Sequence, residues 1–94
     1  MPPVFEFDPA KSAANKAKHG IDFVEAQALW NDDDLFVYPS RFPDEPRFIA
    51  TGEIDGVRWS AILTPRGADV RFISVRRARK EEIDVYEDHK RRRD

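Results

Sequence analysis

The dipeptide Asp55-Gly56 constrains the fold of this chain more than any other feature of its length. It separates two apolar-rich runs, Phe48–Ile54 and residues 57–64, and a two-residue Asp-Gly loop favours the type I′ turn that joins antiparallel strands. Pro65-Arg66-Gly67-Ala68-Asp69 forms a second turn, leading into a strand over residues 70–76. Another strand, over 35–38, precedes the hairpin across a polar, proline-rich loop at 39–46. This part of the chain reads as an antiparallel meander.

The N-terminal third changes period. Val4-Phe5-Glu6-Phe7 alternates apolar and polar residues as a short strand does. Asp8-Pro9 then supplies an N-cap and a first-turn proline, and the helix over 9–18 ends at Gly20, which tolerates the left-handed C′ conformation. Asp22 and Glu25 have the spacing of a capping box and open a second helix with Phe23, Ala26 and Trp30 on one face. Asn31-Asp32-Asp33-Asp34 ends it, and the three acids read as a solvated helix end rather than a metal site, because successive side chains point apart. From Ala78 to about His89 the pattern is helical again, with Ile83 and Tyr86 on one face, residues 90–93 as a frayed basic end, and no role for His89. Residues 1–94 are therefore expected to form one α+β domain, with helices packed against one side of the meander sheet.

Without cysteine, a core this small rests on aromatic and branched residues: Phe5, Phe7, Phe23, Trp30, Phe36, Phe48, Trp59, Ile62, Phe72 and Ile73. No apolar run approaches the roughly 20 residues that cross a bilayer, and the N-terminus lacks signal-peptide character. A soluble cytoplasmic protein is the expectation. Residues 1–57 carry five basic groups against eleven acids, a net of −6, while residues 58–94 carry eleven against seven, a net of +4. The excess concentrates in Arg66, Arg71, Arg76, Arg77, Arg79 and Lys80. An acidic half joined to a basic half suggests one face for an anion and another for a different partner. The alternative is that these cations pair with Glu81, Glu82 and Asp84.

Five segments occur in a recognisable order: Phe5-Glu6-Phe7-Asp8-Pro9-x-Lys11, Asn15-x-x-Lys18-His19-Gly20-Ile21-x-Phe23-x-x-Ala26, Arg47-Phe48-x-Ala50-x-Gly52, Val70-Arg71-Phe72-Ile73-Ser74-Val75-Arg76-Arg77-Ala78 and Glu82-x-x-x-Tyr86-Glu87. Together they resemble the BrnT family of toxins. The sequence departs from the family pattern at Phe7, where tryptophan is usual, at Val75, where alanine is usual, and at Arg79-Lys80, which adds charge. The resemblance implies a RelE-like fold, mRNA cleavage without a metal or cofactor, and neutralisation by a ribbon-helix-helix antitoxin of the BrnA type. It also implies that the toxin–antitoxin complex meets operator DNA only through the antitoxin. An inactive subunit serving only in such a complex is the competing expectation.

Metal-free RNA cleavage uses the substrate's 2′-hydroxyl as nucleophile, so the protein must supply a base, an acid and cations for the phosphorane. His19 is the acid–base candidate, with Lys18 beside it as a phosphate contact. Both also suit a basic helix C-terminus. Arg76 is the candidate for phosphate and Arg71 its support, while Arg77, Arg47 and Arg66 are further RNA-binding candidates. Alternation along the strand places Arg71 and Arg77 on one face with Ile73 and Val75, and Arg76 on the other with Phe72 and Ser74. Glu82 and Tyr86 share a helix face, Glu82 as a possible base and Tyr86 as a donor or stacking ring. Equally, Glu82 pairing an arginine and Tyr86 anchoring the helix would fasten the last helix to the sheet. Phe72 and Trp59 read as core rather than as stacking platforms.

Overall fold

The computed structural model describes residues 3–41 and 46–93, so residues 42–45 of the expected proline-rich loop lie outside it. In chain order come β1 (Phe5–Glu6), α1 (Pro9–His19), a 3₁₀ helix (Glu25–Asn31), β2 (Phe36–Pro39), β3 (Phe48–Ile54), β4 (Val57–Arg66), β5 (Asp69–Arg77) and α2 (Lys80–Arg93). The β3–β4 loop is the type I′ turn the sequence predicts, with φ of 50° at Asp55 and 82° at Gly56. Arg66 pairs with Asp69 across the next turn, where Gly67 takes φ of 61° at the first loop position. Strands β2 to β5 form the expected meander.

Three features differ from the sequence reading. The sheet order is β1-β5-β4-β3-β2, and β1 pairs with β5 in parallel, so the sheet is mixed rather than purely antiparallel. The second helix is a 3₁₀ helix. Its capping box does form, with Asp22 and Glu25 exchanging bonds of 3.0 and 2.7 Å. The buried residues, however, are Phe23, Ala26 and Leu29, spaced by three, which matches three residues per turn. Finally, α2 continues to Arg93, because Arg93 is held by Asp34 and by the Asp33 carbonyl instead of fraying.

Strand register also reassigns the faces. Leu63 pairs with Phe72 and Ile62 with Ser74, so Ile73 is an extra residue, a β-bulge. Side chains of directly opposed residues share a face. Phe72, Val75 and Arg77 therefore lie with Leu63, Ala61 and Trp59, whereas Arg71, Ser74 and Arg76 lie with Thr64, Ile62 and Ser60. The simple alternation that grouped Arg71 with Arg77 fails at the bulge. The first face carries the core, where Phe72 stacks on Phe5 and Phe23 at centroid distances of 5.2 and 5.3 Å. The N-terminal helices cover it. Helix α2 covers part of the other face, where Glu82, Tyr86, Thr51 and Ser60 are buried. Helices thus pack on both sides, not one, and Phe36 contacts His89 of α2 rather than joining the main core.

Where β5 runs past β1, its outer edge needs hydrogen-bond partners. Asn15 of α1 supplies them, accepting from the Val75 N–H at 3.1 Å and donating to the Val75 carbonyl at 2.8 Å. The same amide donates to the Ile21 carbonyl at 2.7 Å. This fixes α1 alongside β5.

On β3, Gly52 marks a close approach. A Cβ there would lie 3.0 Å from Leu35, 3.1 Å from Asp32 Oδ2 and 3.2 Å from Leu29. Gly52→Ala is expected to destabilise the fold by about 1–3 kcal/mol through overpacking, read as a lowered urea midpoint. An unchanged midpoint would show that the site relaxes freely.

Candidate functional site

Helix α2 begins at Lys80, so Arg79 stands at its N-cap and Glu82 at N3. Glu82 Oε1 accepts from the Arg79 backbone N–H at 2.8 Å, the returning half of a capping box. It also accepts from Ser60 Oγ at 2.9 Å and Arg76 Nη1 at 2.8 Å, while Oε2 accepts from Arg76 Nη2 at 2.9 Å. The Arg76 guanidinium grips the carboxylate as a two-pronged fork. Ser60 shares a further hydrogen bond of 2.7 Å with Thr51. One residue from each of β3, β4, β5 and α2 is thus tied into a single network.

Burial penalises the Glu82 carboxylate, but the bonds from Arg76, Arg79 and Ser60 outweigh it and hold the group below the ordinary carboxylate range. A carboxylate engaged this way is a poor proton acceptor. The pair fastens α2 to the sheet, one of the two roles its sequence allowed.

A second pin lies further along α2. Tyr86 is 1 % exposed and donates its hydroxyl to Asp32 Oδ2 at 2.6 Å. Burial and that hydrogen bond push the phenol well above its usual range, so Tyr86 remains a neutral donor. Asp32 also accepts from the Asp34 and Glu53 backbone N–H groups at 2.8 and 2.9 Å. Burial again opposes ionisation, yet the bonds from Tyr86, Asp34 and Glu53 keep its carboxyl below the ordinary range. The reading of the three aspartates as a solvated end is corrected here: Asp32 is a structural hub.

The sign of the pH dependence follows. Both carboxyls lie below their ordinary values, 4.5 for Glu82 and 3.8 for Asp32. The stability they contribute is present above those values and is lost as pH falls through the depressed folded ones. Melting temperature is therefore expected to hold from pH 7 to about 5 and then fall steadily. A Glu82→Gln chain should show a shallower acid limb, and identical limbs would contradict this assignment.

The remaining sequence candidates divide between the two ends of the sheet. Arg71 pairs with Thr64 next to β1, and Arg66 and Arg47 belong to the same end, at the β4–β5 turn and before Phe48. Arg77 lies six residues beyond Arg71, roughly 20 Å along the strand. One phosphate cannot touch both.

At the Arg77 end, α1 runs beside β5 with Asn15 at the level of Val75. Four residues of helix and two of strand each advance about 6 Å, which brings Lys18 and His19 to the level of Arg77. Arg79 follows at the start of α2. The side chains of Lys18, His19, Arg77 and Arg79 make no hydrogen bond or ion pair among the described residues. The Arg77 guanidinium lies 5.3 Å from the centre of the Trp59 ring, which is half-buried rather than enclosed in the core. Two cations and an imidazole at this end of the sheet, beside an arginine held on an indole face, can receive an anion and move a proton. The structure sets Lys18 and His19 at the Arg77 end of the sheet, ties Glu82 and Tyr86 into the contacts of α2, and leaves Arg71 at the other end. Arg79, named in the sequence only for its charge, belongs to the Arg77 end.

Among the described residues no three His, Asp or Glu side chains are grouped to hold a metal ion. No helix among them is long and apolar enough to cross a membrane. A sequence profile described as the ribonuclease toxin BrnT of type II toxin–antitoxin systems matches residues 7–82. No curated protein is similar enough in sequence to compare with the chain.

Proposed function

Because the chain belongs to the BrnT family of ribonuclease toxins of type II toxin–antitoxin systems, we propose that it cleaves mRNA without a metal ion, acting in the cytoplasm until a ribbon-helix-helix antitoxin neutralises it. The observation that supports this most is that Lys18, His19 and Arg77 lie at the same end of the sheet, with no hydrogen bond or ion pair from their side chains among the described residues.

In this reading the 2′-hydroxyl of one nucleotide attacks its own 3′-phosphorus as the 5′-oxygen of the next nucleotide leaves. The products are a 2′,3′-cyclic phosphate and a 5′-hydroxyl. His19 moves a proton to or from these oxygens, and Arg77 with Lys18 holds the charge that builds on the phosphorane. Arg76 and Glu82 act as positioning residues, fixing the strand end that carries Arg77. Arg71, Arg66 and Arg47 contact phosphates further along the RNA. The antitoxin, of BrnA type, meets the acidic N-terminal half, and the complex reaches its operator through the antitoxin's DNA-binding domain. A RelE-like arrangement of sheet and helices belongs to the same proposal.

The test is expression of the chain with and without the antitoxin, following growth and RNA integrity. Arrested growth with fragmented mRNA, reversed by the antitoxin, is the expected result. Folded protein that leaves RNA intact would identify an inactive binding subunit instead.

A further inference from the structure

Beside Arg77, between the β3–β4 turn and the first half of α2, lies a cavity of about 290 Å³ lined by Gly56, Val57, Arg58, Arg77, Ala78, Ile83 and Glu87. This volume is near the lower bound for small-ligand pockets, a size that suits one nucleotide-sized group. Its polar groups are asymmetric. Arg58 is held by carboxylates on both sides, with Nη1 2.9 Å from Glu53 Oε1 and Nη2 2.5 Å from Glu87 Oε1. Arg58 Nε donates to the same Glu87 oxygen at 3.1 Å. Both contacts with Glu87 fall on Oε1, so Oε2 accepts no hydrogen bond among the described residues. The cavity wall thus carries a fixed guanidinium beside a carboxylate oxygen with spare accepting capacity, over an apolar floor at Ile83 and Val57.

We propose that this cavity is a nucleobase subsite selective for bases that carry a ring N–H next to a keto oxygen, namely guanine and uracil. The proposal rests on the ribonuclease reading, and names the part of the substrate that sets its sequence preference. Single-stranded RNA is read by hydrogen bonds to the Watson–Crick and Hoogsteen edges of splayed bases. Glu87 Oε2 accepts the ring N–H, N1–H of guanine or N3–H of uracil, while an N–H of Arg58 meets the neighbouring keto oxygen. Guanine adds a second donor, its 2-amino group, to the carboxylate. Adenine and cytosine present the reverse pattern: a ring nitrogen lone pair facing the carboxylate and an amino group facing the guanidinium. Two polar groups covered by the bound base would then be left unpaired, which disfavours those bases by about tenfold. Arg77 lines the cavity at the end of β5 where Lys18 and His19 also lie, so a base seated here directs its own phosphate toward the cations of the proposed site.

Guanosine, uridine, adenosine and cytidine 3′-monophosphates, titrated separately into the purified chain and followed by NMR chemical shifts, test this without requiring cleavage. Guanosine and uridine nucleotides are expected to bind about tenfold more tightly than the other two. Glu87→Gln, whose amide can turn either way, should bring the four affinities within a few-fold of one another. Ile83→Phe, which fills the floor, should weaken all four while the melting temperature confirms folding. Equal affinities in the unaltered chain, or a preference that survives Glu87→Gln, would overturn the subsite. Selective binding by a chain that cleaves no RNA would overturn the ribonuclease reading and leave the subsite standing.

Discussion

Glu82→Ala is expected to destabilise the folded chain by about 3–5 kcal/mol, the usual cost of removing one partner from a buried ion pair. The loss has identifiable parts. Arg76, whose side chain is 19 % exposed, keeps its charge but loses both of its bonds to the carboxylate. Ser60 Oγ loses its acceptor, and the Arg79 N–H at the start of α2 loses its cap. At roughly 4–8 °C per kcal/mol for a domain of this size, the melting temperature should fall by at least about 12 °C. Lys80→Ala is the matched control. It removes a solvent-exposed pair with Asp84 at 3.1 Å, worth no more than about 0.5 kcal/mol. Removing Arg76 together with Glu82 should cost less than the sum of the single changes, because neither charge is then left buried alone. A Glu82→Ala chain within 1 kcal/mol of the parent would refute the network's structural role.

The second large effect is on chemistry and not on folding. His19→Ala and Arg77→Ala should each slow RNA cleavage by about 10²–10⁴-fold. Neither side chain makes a hydrogen bond or ion pair among the described residues, so melting temperatures should change by only a few degrees. Arg71→Ala supplies the contrast, since Arg71 sits at the other end of β5. It should weaken RNA binding in a salt-dependent way and leave the single-turnover rate at saturation nearly unchanged. Equal rate losses for Arg71→Ala and Arg77→Ala would mean that cleavage is not localised at the Arg77 end of the sheet.

Local chemistry was legible from the residues alone. Asp8, Pro9 and Gly20 bound α1 because each satisfies a backbone need at its own position: Asp8 accepts from the Ala10 N–H, and Gly20 takes φ of 84°. Asp55-Gly56 fixed the hairpin for the same reason. What escaped the sequence depends on distant partners. The Ile73 bulge leaves no composition signal, yet it moves Arg71 to the face opposite Arg77. Arg79 is not a usual N-cap residue, so the capping box completed by Glu82 was hidden although the acid at N3 was in plain view. Asp32 looked like one of three solvated acids because its donor, Tyr86, lies 54 residues away. The C-terminal arginines read as frayed because the acceptors of Arg93 lie at residues 33 and 34. At the site, Lys18 and His19 were singled out, but only the Asn15 bridge to Val75 sets them at the Arg77 end of β5 and not at the Arg71 end.

Metal-independent cleavage through the substrate's own hydroxyl is tested most directly with two RNA oligonucleotides, identical except that one carries a single 2′-deoxynucleotide on the 5′ side of the cleaved bond. The purified chain, assayed in excess EDTA, should cut the all-ribose strand to a 2′,3′-cyclic phosphate and a 5′-hydroxyl, and should leave the substituted bond intact. Cleavage of the deoxy-substituted bond, or loss of all cleavage in EDTA with recovery on adding a divalent cation, would contradict it.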